Sequence, residues 1–231
     1  MPDFSKRSYE KELMDLGQFN QKDFRKNLLE LKLTNQYLGG HKATLKALKR
    51  ILPKDKNKVI HIADVACGGG DAMLVMLRYL KSKEYKVKIT GIDLNPVCIN
   101  YAKETLTEFE GVSFIEKPYE LVNEDFDIIT CSLFTHHLNE EQIQHYLTWV
   151  NRHSSIGFII NDLHRHPLAY WSIKCISQIF PFSYLYKNDA PLSVLRSFTK
   201  EDWLNYAQQT GIALNIKWNW AFRYSVCHQK I

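Results

Sequence analysis

No apolar run in the sequence reaches ~18 residues, the length a membrane-spanning helix needs, so no membrane span is expected. There is no C-x-x-C pair, and the cysteines, Cys67, Cys98, Cys131, Cys175 and Cys227, are odd in number. That pattern argues against a disulfide framework or a zinc knuckle and fits a reducing compartment. The opening stretch MPDFSKRSYEKE is polar and lacks the apolar core of a signal peptide, so a cytoplasmic location is expected. Like charges never gather into a block of five or more, and the formal charge of +5 is spread along the chain. A solvated basic surface is therefore preferred to a nucleic-acid partner. The phosphate-cradling pattern G-x-x-x-x-G-K-[ST] is missing too. No internal repeat and no low-complexity linker divides the chain.

What is present is enough for one α/β domain with a short extension: 231 residues, 45% apolar and 13% aromatic. Its organising stretch runs from Val59 to Asn95. An apolar run, Val59–Ile62, leads into Asp64, then the cluster Gly68-Gly69-Gly70, then a helical segment over Asp71–Leu80. A second β-branched run, Val87–Ile92, ends in Asp93. Strand, glycine turn, helix, strand and acid make a nucleotide-binding βαβ unit. Glycines let the turn run tight and approach a ligand closely. The helix N-terminus points its free N–H groups back at that ligand. The acid ending the second strand can accept from both hydroxyls of a ribose. A nicotinamide fingerprint, G-x-G-x-x-G, would put its third glycine at residue 73, which is Met73.

The rest of the chain continues the alternation. Helices are expected over Gln21–Leu33 and His41–Leu52, separated by Gly39-Gly40, with residues 1–20 loosely held or forming a lid. Asn95 and Pro96 start a helix running to about Phe109. Strands are expected at Val112–Ile115, Phe126–Ser132 and Ile156–Ile160, with a helix from Asn139 to about Val150. An aromatic-rich insertion follows at about Leu163–Phe198, where long connections usually shape a substrate pocket. A helix capped by Thr199 runs to Gln209, and Ile212–Trp220 and Phe222–Gln229 are spaced to form a hairpin.

The stretch Asp64-Val65-Ala66-Cys67-Gly68-Gly69-Gly70, with Gly91-Ile92-Asp93-Leu94-Asn95-Pro96 after it, resembles the cofactor motifs of class I S-adenosylmethionine (SAM) methyltransferases. Ala66 stands where that pattern has its first glycine. The resemblance implies a Rossmann-like seven-stranded sheet, mostly parallel with an antiparallel last strand. It also implies an N-terminal helical cap (1–52) on a methyltransferase domain (53–231) carrying a lid insertion at about 163–198. SAM would contact Asp64, Ala66, Cys67, Gly68, Gly70 and Asp71 of the loop, and Asp93 and Leu94 after the second strand. Beside its adenine the resembled enzymes often place an Asp. Here the stretch is Glu116-Lys117-Pro118-Tyr119-Glu120, so Pro118 and Tyr119 with Glu116 or a backbone amide are the candidates. Cys131 and Leu133, after the fourth strand, complete the cofactor set.

For chemistry the candidates are His136, His137, Asp162 and His164. Either adjacent histidine can serve as a base, or can simply hydrogen-bond the backbone and fix its loop. Asp162 and His164 lie two apart, so on extended chain they share a face, where the carboxylate would raise the imidazole's basicity. The plainer reading of Asp162 is a helix N-cap, with Arg165 in a salt link. No metal is expected, because adjacent histidines rarely chelate one ion and no nearby carboxylate pattern completes a set. Asn161-Asp162-Leu163-His164-Arg165 and the stretch from Asn188 to Thr199 resemble a bacterial subgroup encoded beside type III polyketide synthases. Quinone-biosynthesis methyltransferases are more distant likenesses. The acceptor so implied is a small phenolic, quinonoid or polyketide-derived molecule, methylated on oxygen or carbon by a monomer or homodimer. The rival readings are an RNA or protein methyltransferase on the same fold and a non-catalytic SAM-fold binding partner.

Overall fold

The computed structural model describes residues 2–17 and 19–230. Seven strands form one sheet: β1 (Ile60–Val65), β2 (Val87–Asp93), β3 (Val112–Glu116), β4 (Phe126–Ser132), β5 (Ser154–Leu163), β6 (Asn215–Asn219) and β7 (Arg223–Gln229). Their spatial order is β3-β2-β1-β4-β5-β7-β6. The first five are parallel, and β7 runs antiparallel to both β5 and β6. The helices are α1 (Leu13–Leu16), α2 (Gln21–Tyr37), α3 (Gly40–Ile51), α4 (Asp71–Ser82), α5 (Pro96–Thr105), α6 (Glu140–His153), α7 (Pro167–Ile179), α8 (Tyr184–Arg196) and α9 (Lys200–Thr210).

The strands are apolar on both faces because both faces are covered. Side chains alternate along each strand, so neighbouring residues enter opposite cores. Ile62, Ile128 and Ile159 join Ala47, Leu48 and Leu77 under α3 and α4. Ala63, Ile129 and Ile160 join Leu147, Val150 and Trp203 under α6 and α9. Each such side chain contributes roughly 1.5–3 kcal/mol by leaving water. Met73, which displaces the third glycine of a nicotinamide fingerprint, is itself core. It packs against Gly91, where an added Cβ would lie 2.9 Å from the Met73 sulfur and 2.8 Å from that of Cys67.

Several boundaries differ from the sequence reading. Strand β5 extends to Leu163 because β7 pairs with it through Leu163↔Arg223. Helix α2 runs on to Tyr37, whereas α5 stops at Thr105. The segment before α2 is tied down rather than loose. Arg7 is buried, donating to the backbone oxygens of Arg196 (2.8 Å) and Leu138 (2.8 Å), with its guanidinium over the Phe198 ring. Helix α3, placed in the cap by the sequence reading, is a layer of the sheet domain packed on β5 and β7. The aromatic insertion is the helical pair α7–α8, whose core of Tyr170, Ile173, Tyr186 and Val194 also receives Leu31 of α2.

Candidate active site

The carboxyl ends of β1, β2, β4 and β5 open on one edge, as the parallel topology requires. After β1 the chain turns through Ala66 (φ 53°), Gly68 (φ 51°) and Gly70 (φ 75°), all left-handed. Gly68 has no Cβ to fill the space above it; an added one would come no nearer than 4.0 Å, to Leu28. Asp93 anchors this loop. One carboxylate oxygen accepts from the Gly68 amide (2.9 Å) and the other from the Asn95 amide (2.9 Å). Burial raises its pKa, against the pull of those amides.

Beneath the loop lie two further acids. Asp64 is buried and accepts from the Thr130 hydroxyl at 2.7 Å. Burial, with Asp71 and Asp93 nearby, pushes its carboxyl up to about 7. Burial acts the same way on Asp71, but bonds from His41 (2.7 Å) and Asn35 (3.1 Å) hold it below the ordinary value.

Two cavities lie on this edge. The smaller, of about 210 Å³, is lined by Ala66, Asp93, Leu94, Pro118, Tyr119 and Phe134 among others. The larger, of about 420 Å³, is mostly apolar and includes Leu31, Leu133, Ile173 and Val194. Its polar wall includes Glu12, His136 and His137. The segment Leu133–Leu138 stands between them: Phe134 and Leu138 face one, Leu133, His136 and His137 the other. Leu133 takes φ 56°, an uncommon conformation for a non-glycine residue, and its amide donates to the Asn161 carbonyl (2.9 Å).

The histidine cluster is built on Asp162. This fully buried carboxylate accepts from the Thr135 hydroxyl (2.6 Å), the His136 amide (3.1 Å) and the Leu163 amide (2.8 Å), and it bonds His136 Nδ1 at 2.7 Å. Burial would lower the His136 pKa, but Asp162 and Glu12 push it up to about 9. His136 is therefore an imidazolium at neutral pH. His137 Nδ1 bonds Asp15 at 2.8 Å, while its Nε2 lies 3.9 Å from Glu12. Donor atoms of Glu12, His136 and His137 all fall within 4.8 Å of one another. The sequence reading found no carboxylate to join the histidines; the fold delivers Glu12 from the N-terminal segment. That carboxylate already accepts from the Ser193 hydroxyl (2.8 Å) and lies 3.9 Å from Arg196.

The pairing of Asp162 with His164 does not form, since Asp162 turns to His136. The His164 ring packs edge-on to Tyr224, its Nδ1 is buried without a partner among the described residues, and burial with neighbouring His166 and Arg165 pushes its pKa down to about 4. Asp64, Cys67, Gly68, Gly70, Asp71, Cys131, Asp162 and His164 line neither cavity. Burial drives the thiols of Cys67 and Cys131 well up, so neither is a nucleophile.

Sequence reasoning missed Glu12, Asp15, Arg196 and Arg223. The acids are three apart, Glu12 just before α1 and Asp15 within it, and Arg196 lies in the insertion; neither position stands out in a linear reading. Arg223 lines the larger cavity and is buried. Its Nη2 donates to Asn35 (2.8 Å), while Nε and Nη1 have no partner among the described residues.

Residues 62–157 match a family model described as a methyltransferase domain. The mitochondrial ubiquinone biosynthesis O-methyltransferase of Saccharomyces cerevisiae is 33% identical over 113 residues, 46% of this chain and 34% of that protein. The ubiquinone/menaquinone biosynthesis C-methyltransferase UbiE of Campylobacter jejuni is 33% identical over 101 residues, 42% of each chain. The chain thus spans well under half the length of these curated relatives. In fold it is similar to human N-acetylserotonin methyltransferase, solved in complex with SAM, with a TM-score of 0.66, 14% identity, and coverage of 97% of this chain and 63% of that one. Family match, relatives and sheet topology agree: residues 62–157 match a methyltransferase domain, and the chain resembles SAM-dependent methyltransferases in sequence and in fold.

Proposed function

We propose that this protein binds SAM in the smaller cavity and across the glycine loop. Its methyl group is then transferred to oxygen or carbon of a small phenolic, quinonoid or polyketide-derived acceptor held in the larger cavity. The observation that carries the reading is the pair of cavities on one sheet edge with a single segment, Leu133–Leu138, between them. The residues present fit the cofactor. Asp93 keeps free lone pairs for ribose hydroxyls after accepting two amides, Gly68 leaves open space above the loop, and Tyr119 and Leu94 offer apolar surface for a flat base.

When bound, SAM supplies an electrophilic methyl. The chain's own contribution is positioning, proton management and exclusion of water. Asp162 holds His136 charged, so His136 donates rather than accepts at neutral pH. His137 lines the same cavity, is less buried, and is oriented by Asp15, which makes it the candidate base for an acceptor hydroxyl. The apolar walls suit planar rings and hydrocarbon. The two quinone-pathway relatives, one an O- and one a C-methyltransferase by name, support the acceptor class while leaving both atoms open. Titration calorimetry with SAM tests the first half of the reading. Incubation with SAM and a panel of hydroxylated aromatics, read by mass spectrometry for a 14-dalton gain per methyl, tests the second. A folded protein that does not bind SAM overturns the whole reading.

A further inference from the structure

Helix α7 carries apolar side chains on both of its long faces. Toward the protein, Ala169, Ile173 and Ile176 line the larger cavity. Toward solvent, Leu168 (62% exposed), Trp171 (46%), Cys175 and Ile179 (76%) follow at spacings of three, four and four, one continuous stripe on a helix. Phe180 (54%) extends the stripe past the helix end. A helix that packs on a domain would normally turn polar residues outward here.

Within the insertion that carries the stripe, the exposed charge has one sign. Between Leu163 and Thr199 the only acid is Asp189. It is buried and occupied by the amides of Leu13 and Met14. The bases in the same span include exposed Lys174 and half-buried Lys187. The Lys174 ammonium lies over the rings of Tyr170 and Trp171. An apolar stripe with Trp and Lys at its border, on an insertion whose one acid is buried, matches what an interfacial helix needs; the nearby exposed carboxylate of Asp3 precedes Phe4, which packs on Tyr170. The apolar face of such a helix enters the acyl boundary while cations meet anionic headgroups.

We propose that α7 and Phe180 dock on the surface of an anionic lipid bilayer. Helix α7 would then separate the bilayer from the larger cavity, so a lipophilic molecule leaving the membrane has its apolar path at hand. The docking itself does not depend on methyl transfer. No helix among the described residues is long and apolar enough to cross a membrane, so the association is peripheral.

Flotation of the full chain with vesicles tests this. Vesicles of phosphatidylcholine containing about a third phosphatidylglycerol should carry the protein, and pure phosphatidylcholine vesicles should carry much less. The variant Leu168→Ser/Trp171→Ser/Ile179→Ser alters exposed positions only and should lose flotation while its thermal unfolding stays near that of the wild type. Lys174→Ala should weaken binding to the anionic vesicles about fivefold. Wild-type protein that stays with the buffer, or a triple variant that floats as well as the wild type, overturns the proposal. Equal flotation with both vesicle types overturns the anionic assignment. A wild-type dimer in sedimentation velocity that the triple variant abolishes, without flotation, assigns the stripe to self-association instead.

Discussion

Replacing Asp162 by Asn tests the electrostatics of the histidine cluster. The wild-type carboxylate is fully buried, and its main charged partner is His136 at 2.7 Å. The His136 pKa rises from 6.5 to about 9, a gap of roughly 2.5, worth about 3 kcal/mol at ~1.36 kcal/mol per pKa unit. Because the folded pKa lies above the unfolded one, this stabilisation is fully present below about pH 6.5 and is lost as the pH rises through about 9. Removing one partner of a buried pair costs about 3–5 kcal/mol, so at pH 6 Asp162→Asn should be destabilised by that amount. By pH 9.5 His136 is mostly neutral in both proteins, and the gap should shrink by up to about 3 kcal/mol, less the share of the shift that Glu12 supplies. Asp64, whose burial penalty builds between its unfolded pKa of 3.8 and its folded value of about 7, is present in both proteins and cancels in the comparison. Urea unfolding of both proteins at pH 6, 7.5 and 9.5 reads the gap directly. An equal gap at pH 6 and pH 9.5 would refute the ion pair and leave only a neutral hydrogen-bond network.

Three further outcomes are expected. Asp93→Ala removes charge-assisted bonds worth roughly 1.5–3 kcal/mol each and unpins the Gly68 amide, so SAM and its demethylated product should bind at least ~30-fold more weakly by calorimetry; wild-type affinity in a folded variant counts against the ribose assignment. Ala66→Gly should leave SAM binding near wild type and stability unchanged or up by about 1 kcal/mol, because Ala66 already holds φ 53°, and a loss of binding would show that the loop is misassigned. His137→Ala should lower turnover on a true acceptor by ~10²–10⁴ with SAM affinity unchanged, whereas His164→Ala should leave turnover nearly intact, since that ring is walled in by Tyr224 and Phe222; the reverse order would move the base to His164.

The sequence by itself determined the nucleotide-binding half of this protein. Its signal is local: alternation of apolar runs, glycines that must turn left-handed, and an acid one strand later all lie within Val59–Asn95. The elements of a βαβ unit are specified by residues near each other in the chain, so Asp93 was legible as the acid ending the second strand; its bond to the Gly68 amide was not. The tertiary structure alone decided the other cavity. Glu12 reaches His136 across 124 positions, and Asp162 chooses His136 over His164 because the loop after the neighbouring strand β4 brings it a hydroxyl, an amide and an imidazole together. A two-residue spacing fixes only which face a side chain leaves from; what meets it there is set by the packing of other strands. The same holds for charge. No local pattern makes His136 an imidazolium or leaves Nε and Nη1 of Arg223 without a partner among the described residues, because both depend on which distant groups share their burial.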